Sequence, residues 1–271
     1  MARDDKGFLL LNERELPSNE YPIAQIKHDG RRVQVEKKGD SVMLRGRDNI
    51  VPNNYPEVIE AFRKIPHDFK LDTEFVVLTD EWKSDRGLLQ ARDKVKDPFK
   101  IKMGSKLHPV TAMAFDLLEL DGMPLTNKPY KERKELLDTE FKDNFSTNFR
   151  AVKDWSDPFE AWQFAQDNLL EGIVQRKNVP YIPKRTDDAI KVKRKGLFPM
   201  LFSNYEISNA GITLVNDNTR VACHGHQHIE VKDQIDKRGW VRVVVRGMAD
   251  KTDRGKIREP VFYKLLDEGG K

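Results

Sequence analysis

Lys27-His28-Asp29-Gly30-Arg31-Arg32 lies between two apolar runs and reads as a loop joining two strands. Upstream, Ile23 to Ile26 predicts a short apolar strand that delivers Lys27 at its end. Downstream, Arg32 to Glu36 alternates with Val33 and Val35 on one face. The Lys38-Gly39-Asp40 turn then leads back through Val42 and Leu44, which predicts a hairpin. A lysine so presented, followed by a carboxylate and an arginine, has the composition of a nucleophile set beside phosphate binders. At average residue usage the four fixed positions of K-x-D-G-x-R match by chance in under about 1% of chains of this length. A charged turn is the bland alternative in a chain that is 34% Asp, Glu, Lys and Arg, so the stretch does not decide alone.

The remaining pattern is mixed. Pro56 to Lys64 predicts a helix with Pro56 in its first turn and Val58, Ile59 and Phe62 on one face. Leu71 to Leu78 and Val110 to Leu120 predict strands, and Ser84 to Val95 a helix capped by Ser84 or Asp85. Lys128 to Phe141 and Asp157 to Asn168 read as helices, Gly172 to Gln175 and Ala189 to Lys193 as short strands. Hairpins with interspersed helices argue for α+β rather than strict βαβ alternation. From about Phe198 short alternating strands dominate (Ile212 to Val215, Arg220 to Cys223, Trp240 to Val245), the texture of a small OB-type β-barrel.

Composition narrows the class. A hydrophobic fraction of 38% with 14 Phe and 4 Trp among 271 residues supports a folded protein with one sizeable core and a second, smaller domain. The net charge of +4 is weak evidence by itself, but 48 Lys and Arg leave basic surface for a polyanion. One cysteine, Cys223, excludes an internal disulfide and fits a reducing compartment. The charged start, Met1 to Lys6, and the lack of a long apolar run predict a cytoplasmic protein with no signal peptide and no membrane partner.

Four further stretches follow the lysine in order: Leu71-Asp72-Thr73-Glu74-Phe75, Phe115-Asp116-Leu117-Leu118-Glu119-Leu120-Asp121-Gly122, Glu171-Gly172-Ile173-Val174 and Lys191-Val192-Lys193. From about Glu20 to Phe262 the chain resembles the covalent nucleotidyltransferases and, within them, the ATP-dependent DNA ligases. The resemblance implies an ATP-grasp-like nucleotidyltransferase domain of antiparallel sheets and helices over residues 1–197. An OB-fold domain follows over 198–271.

It implies Lys27 as the nucleophile on the α-phosphate of ATP. ATP would be held by Ile26, Lys27, Arg32, Arg47, Glu74, Phe115, Lys191 and Lys193, with Phe115 stacked on adenine. Glu171, Asp29 and Glu74 would hold Mg²⁺, for which Mn²⁺ could substitute. Nicked duplex DNA would meet Arg31, Arg45, Lys195, Lys251, Arg254 and Lys256, the enzyme acting as a monomer. Burial and nearby cations, Lys191 and Lys193 among them, are expected to disfavour the charged form of Lys27. Arg45 competes with Arg47, and Arg176 with Lys177, for single family positions.

The alternatives differ in weight. Lys191 to Lys195 alone reads as a solvated charge run, Phe115 as core, and Glu74, alternating with Asp72, as surface; family order reverses those odds. In a strand, Cys223-His224-Gly225-His226-Gln227-His228 would put three imidazoles on one face, yet a polar barrel face or a loop near phosphate is the stronger reading than zinc. Where the family's final motif offers arginine, aspartate and lysine, this chain has Leu265-Leu266-Asp267-Glu268-Gly269, with Lys264 the expected substitute cation. An RNA ligase, an mRNA-capping guanylyltransferase and a catalytically inactive nucleic-acid binder are the rival functions.

Overall fold

Alternating apolar residues build the sheets, and the chemistry-bearing side chains sit both on their strands, as Arg32, Glu74 and Phe115 do, and in the turns beside them, as Lys27 and Glu171 do. The computed structural model describes residues 7–47, 54–217, 219–248 and 256–266. The chain divides into two compact units between Val192 and Lys193. The first begins with β1 (Leu10–Arg14), β2 (Ile23–Ile26), β3 (Arg31–Lys38), β4 (Ser41–Gly46), α1 (Pro56–Arg63) and β5 (Phe69–Val77). Next come α2 (Arg86–Lys94), α3 (Pro98–Leu107), β6 (Val110–Leu120), β7 (Met123–Pro124) and α4 (Tyr130–Glu140). The unit closes with β8 (Phe149–Ala151), β9 (Asp154–Trp155), α5 (Pro158–Asp167), β10 (Gly172–Arg176) and β11 (Arg185–Lys193), whose last residue opens the second unit.

One sheet runs β1-β11-β10-β2-β9; the other runs β4-β3-β5-β6-β7, with β8 added to β6. The larger core lies under the second sheet. There α1 buries Val58 and Phe62, and the Phe62 ring sits 5.6 Å from Phe69 and 5.0 Å from Phe149, centroid to centroid. A separate core backs the first sheet, where α5 presents Ala161 and Ala165 to Ile26 and Ile173. Small side chains let α5 come close to β2 and β10. The Asp157 side chain caps α5 by accepting from the Phe159 and Glu160 amides. This helix therefore braces the strand that ends at Lys27.

The second unit comprises β12 (Lys195–Phe202), β13 (Asn204–Ser208), β14 (Gly211–Val215), β15 (Arg220–His224), α6 (Gln227–Arg238), β16 (Val241–Met248) and β17 (Val261–Leu265). Its two sheets, β12-β16-β17 and β13-β14-β15, close on one core of Phe202, Leu214, Val221, Val243 and Val245, with Val231 and Ile235 of α6 filling one end.

Three features bear on the sequence reading. The boundary expected after residue 197 falls inside β12, because Lys195 to Phe202 is one strand paired along its length with β16. The histidine run is not a strand: β15 ends at His224, the chain turns at Gly225 (φ +69°), and His228 lies in α6, so the three imidazoles do not share a sheet face. Pro98–Leu107 is a helix that apolar periodicity did not reveal, since none of its residues is buried. No described helix is long and apolar enough to cross a membrane.

Candidate active site

Lys27 directly follows β2, its amide donating to the Gly172 carbonyl of β10 (2.9 Å). The turn after it brings Gly30 against β5, where an added Cβ would lie 2.2 Å from the Phe75 carbonyl oxygen and 2.7 Å from Val76. No side chain fits there, so the glycine of the loop is a packing requirement. Ser84 clamps the same turn, donating to the Asp29 carbonyl (3.2 Å) and accepting from its amide (3.1 Å). Ser84 is thereby used on the loop, and Asp85 caps α2.

A pocket opens between the two sheets. Leu9, Leu11, Gln25, Ile26, Lys27, His28, Val174 and Arg176 line it from the first sheet and its adjoining segments. Arg32, Glu74 and Phe115 face them from the second, and Val152 and Tyr181 complete the lining from loops. Register explains part of this convergence: Arg32 of β3 lies opposite Glu74 of β5, and Glu74 opposite Met113 of β6. Two guanidinium groups lie near the Phe115 ring, Arg32 at 5.3 Å and Arg176 at 5.8 Å from its centroid.

The Lys27 ammonium sits 2.7 Å from Glu171 Oε2, and that carboxylate side chain is only 7% exposed. Burial disfavours the ammonium, but the charges of Glu171, Glu74 and Asp29 outweigh it and raise the Lys27 pKa above its ordinary value. This corrects the expectation of cationic neighbours: the groups around Lys27 are acidic and hold its proton. Burial pushes Glu74 up to about 7 against the pull of Lys27, with Glu171 adding to the rise. Beside Lys27, burial and then the lysine's charge press His28 down to about 4, so the imidazole is neutral.

Arg32 forks onto Asp72, Nε to Oδ1 at 2.9 Å and Nη2 to Oδ2 at 2.6 Å, and also donates to the Leu9 carbonyl. Two of its edges are thus committed within the protein rather than open to a phosphate. Asp72 is fully buried and also accepts from Tyr181 (2.7 Å). Beneath Phe115, buried Asp116 takes Arg133 bidentately at 2.7 and 2.9 Å and Arg176 at 3.2 Å. Arg176 turns into the pocket, whereas Lys177 pairs with Glu20 outside it (3.0 Å). Buried polar atoms lacking a partner include Arg176 Nε and His28 Nδ1, both on residues lining the pocket. Such atoms are costly unless something polar enters to meet them.

The other expected residues of the first unit are not among those lining this pocket. Asp29 pairs with Arg86 (3.4 Å) and Arg31 with Asp93 (3.3 Å). Lys191, on β11, pairs with Glu13 (3.4 Å). In the second unit Lys193 is held by Glu259, and Lys195 begins β12. Arg45 on β4 lies 5.8 Å from the Phe8 ring, and Arg47 follows in the next turn. Lys256 is exposed, while Lys251 and Arg254 lie outside the described residues. Among the described residues no three His, Cys, Asp or Glu side chains gather as a metal cage. Mg²⁺ needs no such cage, since it is commonly held by one or two carboxylates together with phosphates. Glu171 and Glu74, whose like charges interact, are a donor set of that kind.

The ATP dependent DNA ligase domain family matches residues 13–193. A probable DNA ligase of Aquifex aeolicus is 34% identical over 167 residues, 58% of this chain and 28% of that protein. The SPbeta prophage-derived DNA ligase-like protein LigB of Bacillus subtilis is 27% identical over 271 residues, 94% of this chain and 96% of its own length. Among solved structures, mycobacterial DNA ligase D complexed with ATP and MES superposes with a TM-score of 0.61 at 19% identity, covering 99% of this chain and 97% of that one. The two-sheet unit and the barrel after it are thus a nucleotidyltransferase fold with an OB domain. The chain belongs to the ATP-dependent DNA ligase family. It spans about a third or less of the length of the first curated relatives it matches.

Proposed function

We propose that this protein seals nicks in duplex DNA through a lysyl-AMP intermediate drawn from ATP, with Lys27 as nucleophile. The observation that carries the reading is the Lys27–Glu171 pair, which brings a lysine to the wall of a pocket also lined by Phe115, Glu74, Arg32 and the partnerless Arg176 and His28 atoms. Phe115 offers an aromatic face to a purine, and the unsatisfied atoms offer polar contacts.

In the first step the Lys27 Nζ lone pair attacks the α-phosphorus, the bond to the pyrophosphate oxygen breaks, and pyrophosphate leaves. Nζ must first lose its proton. Glu171, at 2.7 Å, holds that proton in the free protein, and it would pass to solvent once the carboxylate turned to a metal. Bound Mg²⁺, held by Glu171 and Glu74, would supply charge compensation at the transferring phosphoryl group. With both carboxylates so engaged, the burial that already disfavours the Lys27 ammonium is less opposed. Lys191 and Lys193, two residues apart on β11, are the proposed triphosphate cations. AMP then passes to the 5′-phosphate, and the 3′-hydroxyl displaces it to form the phosphodiester.

Incubation with labelled ATP or GTP, then denaturing electrophoresis, tests the reading. A covalent label from ATP supports it. A label from GTP alone indicates a capping-type guanylyltransferase, and no label from either indicates a binding protein. An RNA ligase is separated by offering nicks in DNA and in RNA.

A further inference from the structure

Lys193 is buried, its side chain 6% exposed, and both oxygens of Glu259 take its ammonium, at 2.5 and 2.6 Å. Both residues belong to the second unit. Glu259 reaches this position from a strained backbone, its φ of +49° lying in the left-handed region that a residue with a side chain rarely adopts. The segment bearing it is pinned to β16. Met248 donates its amide to the Arg258 carbonyl (2.9 Å), and an added Cβ on Gly247 would meet Ile257 at 2.3 Å and the Arg258 oxygen at 2.9 Å. The Glu259 side chain itself is half exposed, so one end of the pair is open to exchange with solvent and solutes.

A buried ammonium is tolerated only with an anionic partner. A triphosphate bound on Lys193 would be such a partner, and so is Glu259. One buried cation thus has two anions competing for it. We infer that Glu259 is a gate on phosphate binding: its carboxylate occupies Lys193 until a triphosphate displaces it, and so sets how much nucleotide the first step requires. The inference rests on the proposed role of Lys193 in that step. A ligand whose competent state is only fractionally populated loses apparent affinity by that fraction. A pair closed nine times in ten therefore weakens triphosphate binding about tenfold.

Single-turnover adenylation over a range of ATP concentrations tests the gate in Glu259→Gln, which keeps the shape and removes the charge. Half-saturation by ATP should fall about five- to tenfold, with the saturating rate within about twofold of wild type. Inorganic tripolyphosphate should inhibit more tightly by the same factor, whereas inhibition by adenosine, which carries no phosphate, should not change. A purely structural role would move both inhibitors together or neither. If Glu259→Gln lacks a cooperative thermal transition, Glu259→Asp, with its shorter reach, should shift ATP and tripolyphosphate in the same direction by less. Half-saturation and tripolyphosphate inhibition that are unchanged or weaker overturn the gate. Should the wild type take no label from ATP, the reading of the reaction fails; tripolyphosphate binding to both forms by calorimetry still decides the gate.

Discussion

At the scale of single residues, the site is governed by acids around a lysine. Glu74 titrates near 7 in the folded chain, well above an ordinary carboxyl, because it is buried and close to Glu171. The sign follows from linkage: with the folded pKa raised, the native state holds a proton that the unfolded chain releases. Stability from this group is therefore complete below the unfolded pKa and lost as pH rises toward 7. Glu74→Gln, which never ionises, should gain on wild type between pH 5 and pH 8, by on the order of 2 kcal/mol. Thermal unfolding at the two pH values checks this, and a gap that does not widen contradicts the burial of that charge. Lys27, Arg32, Glu74 and Phe115 were readable as one site because each stands in a short local pattern, and they share one pocket. His28 and Tyr181 were not, and Arg176 was legible only as a rival of Lys177, since their surroundings come from distant segments: Tyr181 donates to Asp72 of β5, and Arg176 meets Asp116 of β6. The acidic setting of Lys27 was also missed. Residue types near the lysine in sequence do not reveal which charges the fold brings within hydrogen-bond distance of its ammonium.

At the scale of elements, β6 ties the pocket to the scaffold. Phe115 faces the pocket, and the next residue, Asp116, is buried between Arg133 of α4 and Arg176 of β10. Removing the carboxylate leaves two buried guanidinium groups without their counter-charge. Asp116→Ala should therefore cost about 3–5 kcal/mol in denaturant unfolding. A loss below about 1 kcal/mol would mean that solvent reaches these groups. The packing side gives a parallel expectation: Phe62→Ala, deep against Phe69 and Phe149, should cost about 3–5 kcal/mol by the same measurement. Strands and helices with strong periodicity, such as β6 and α1, were legible nearly to the residue. The α3 helix was not, because its Phe99, Met103 and Leu107 stay exposed and its start is marked only by the Asp97 cap and Pro98. The α6 helix was hidden by a histidine-rich start and revealed by its buried Val231 and Ile235. On β17, Lys264 continues the strand opposite Val244. If it substitutes for the family's last cations during pyrophosphate release, Lys264→Ala should slow adenylation about tenfold or more and spare the sealing of pre-adenylated nicks. A wild-type adenylation rate would remove Lys264 from the mechanism.

At the scale of the whole molecule, a sheet-and-helix unit and a barrel were both legible from texture, since strand length and turn spacing change near residue 200. The point of division was less so, because β11 and β12 follow each other with one residue between them. If the protein grips DNA chiefly through phosphates, its affinity for nicked duplex should fall steeply with salt through counterion release, roughly tenfold or more between low and moderate ionic strength. Fluorescence anisotropy on a labelled nick measures it, and a flat dependence would contradict phosphate-led binding. The central claim is that Lys27 carries AMP and has no other indispensable task. The direct measurement gives Lys27→Ala two substrates, a plain nick with ATP and a nick already bearing 5′-AMP. The account predicts no protein-bound AMP and no sealing of the first, with sealing of the second close to wild type. A covalent AMP adduct in the variant, or loss of sealing on both substrates by a folded protein, would contradict it.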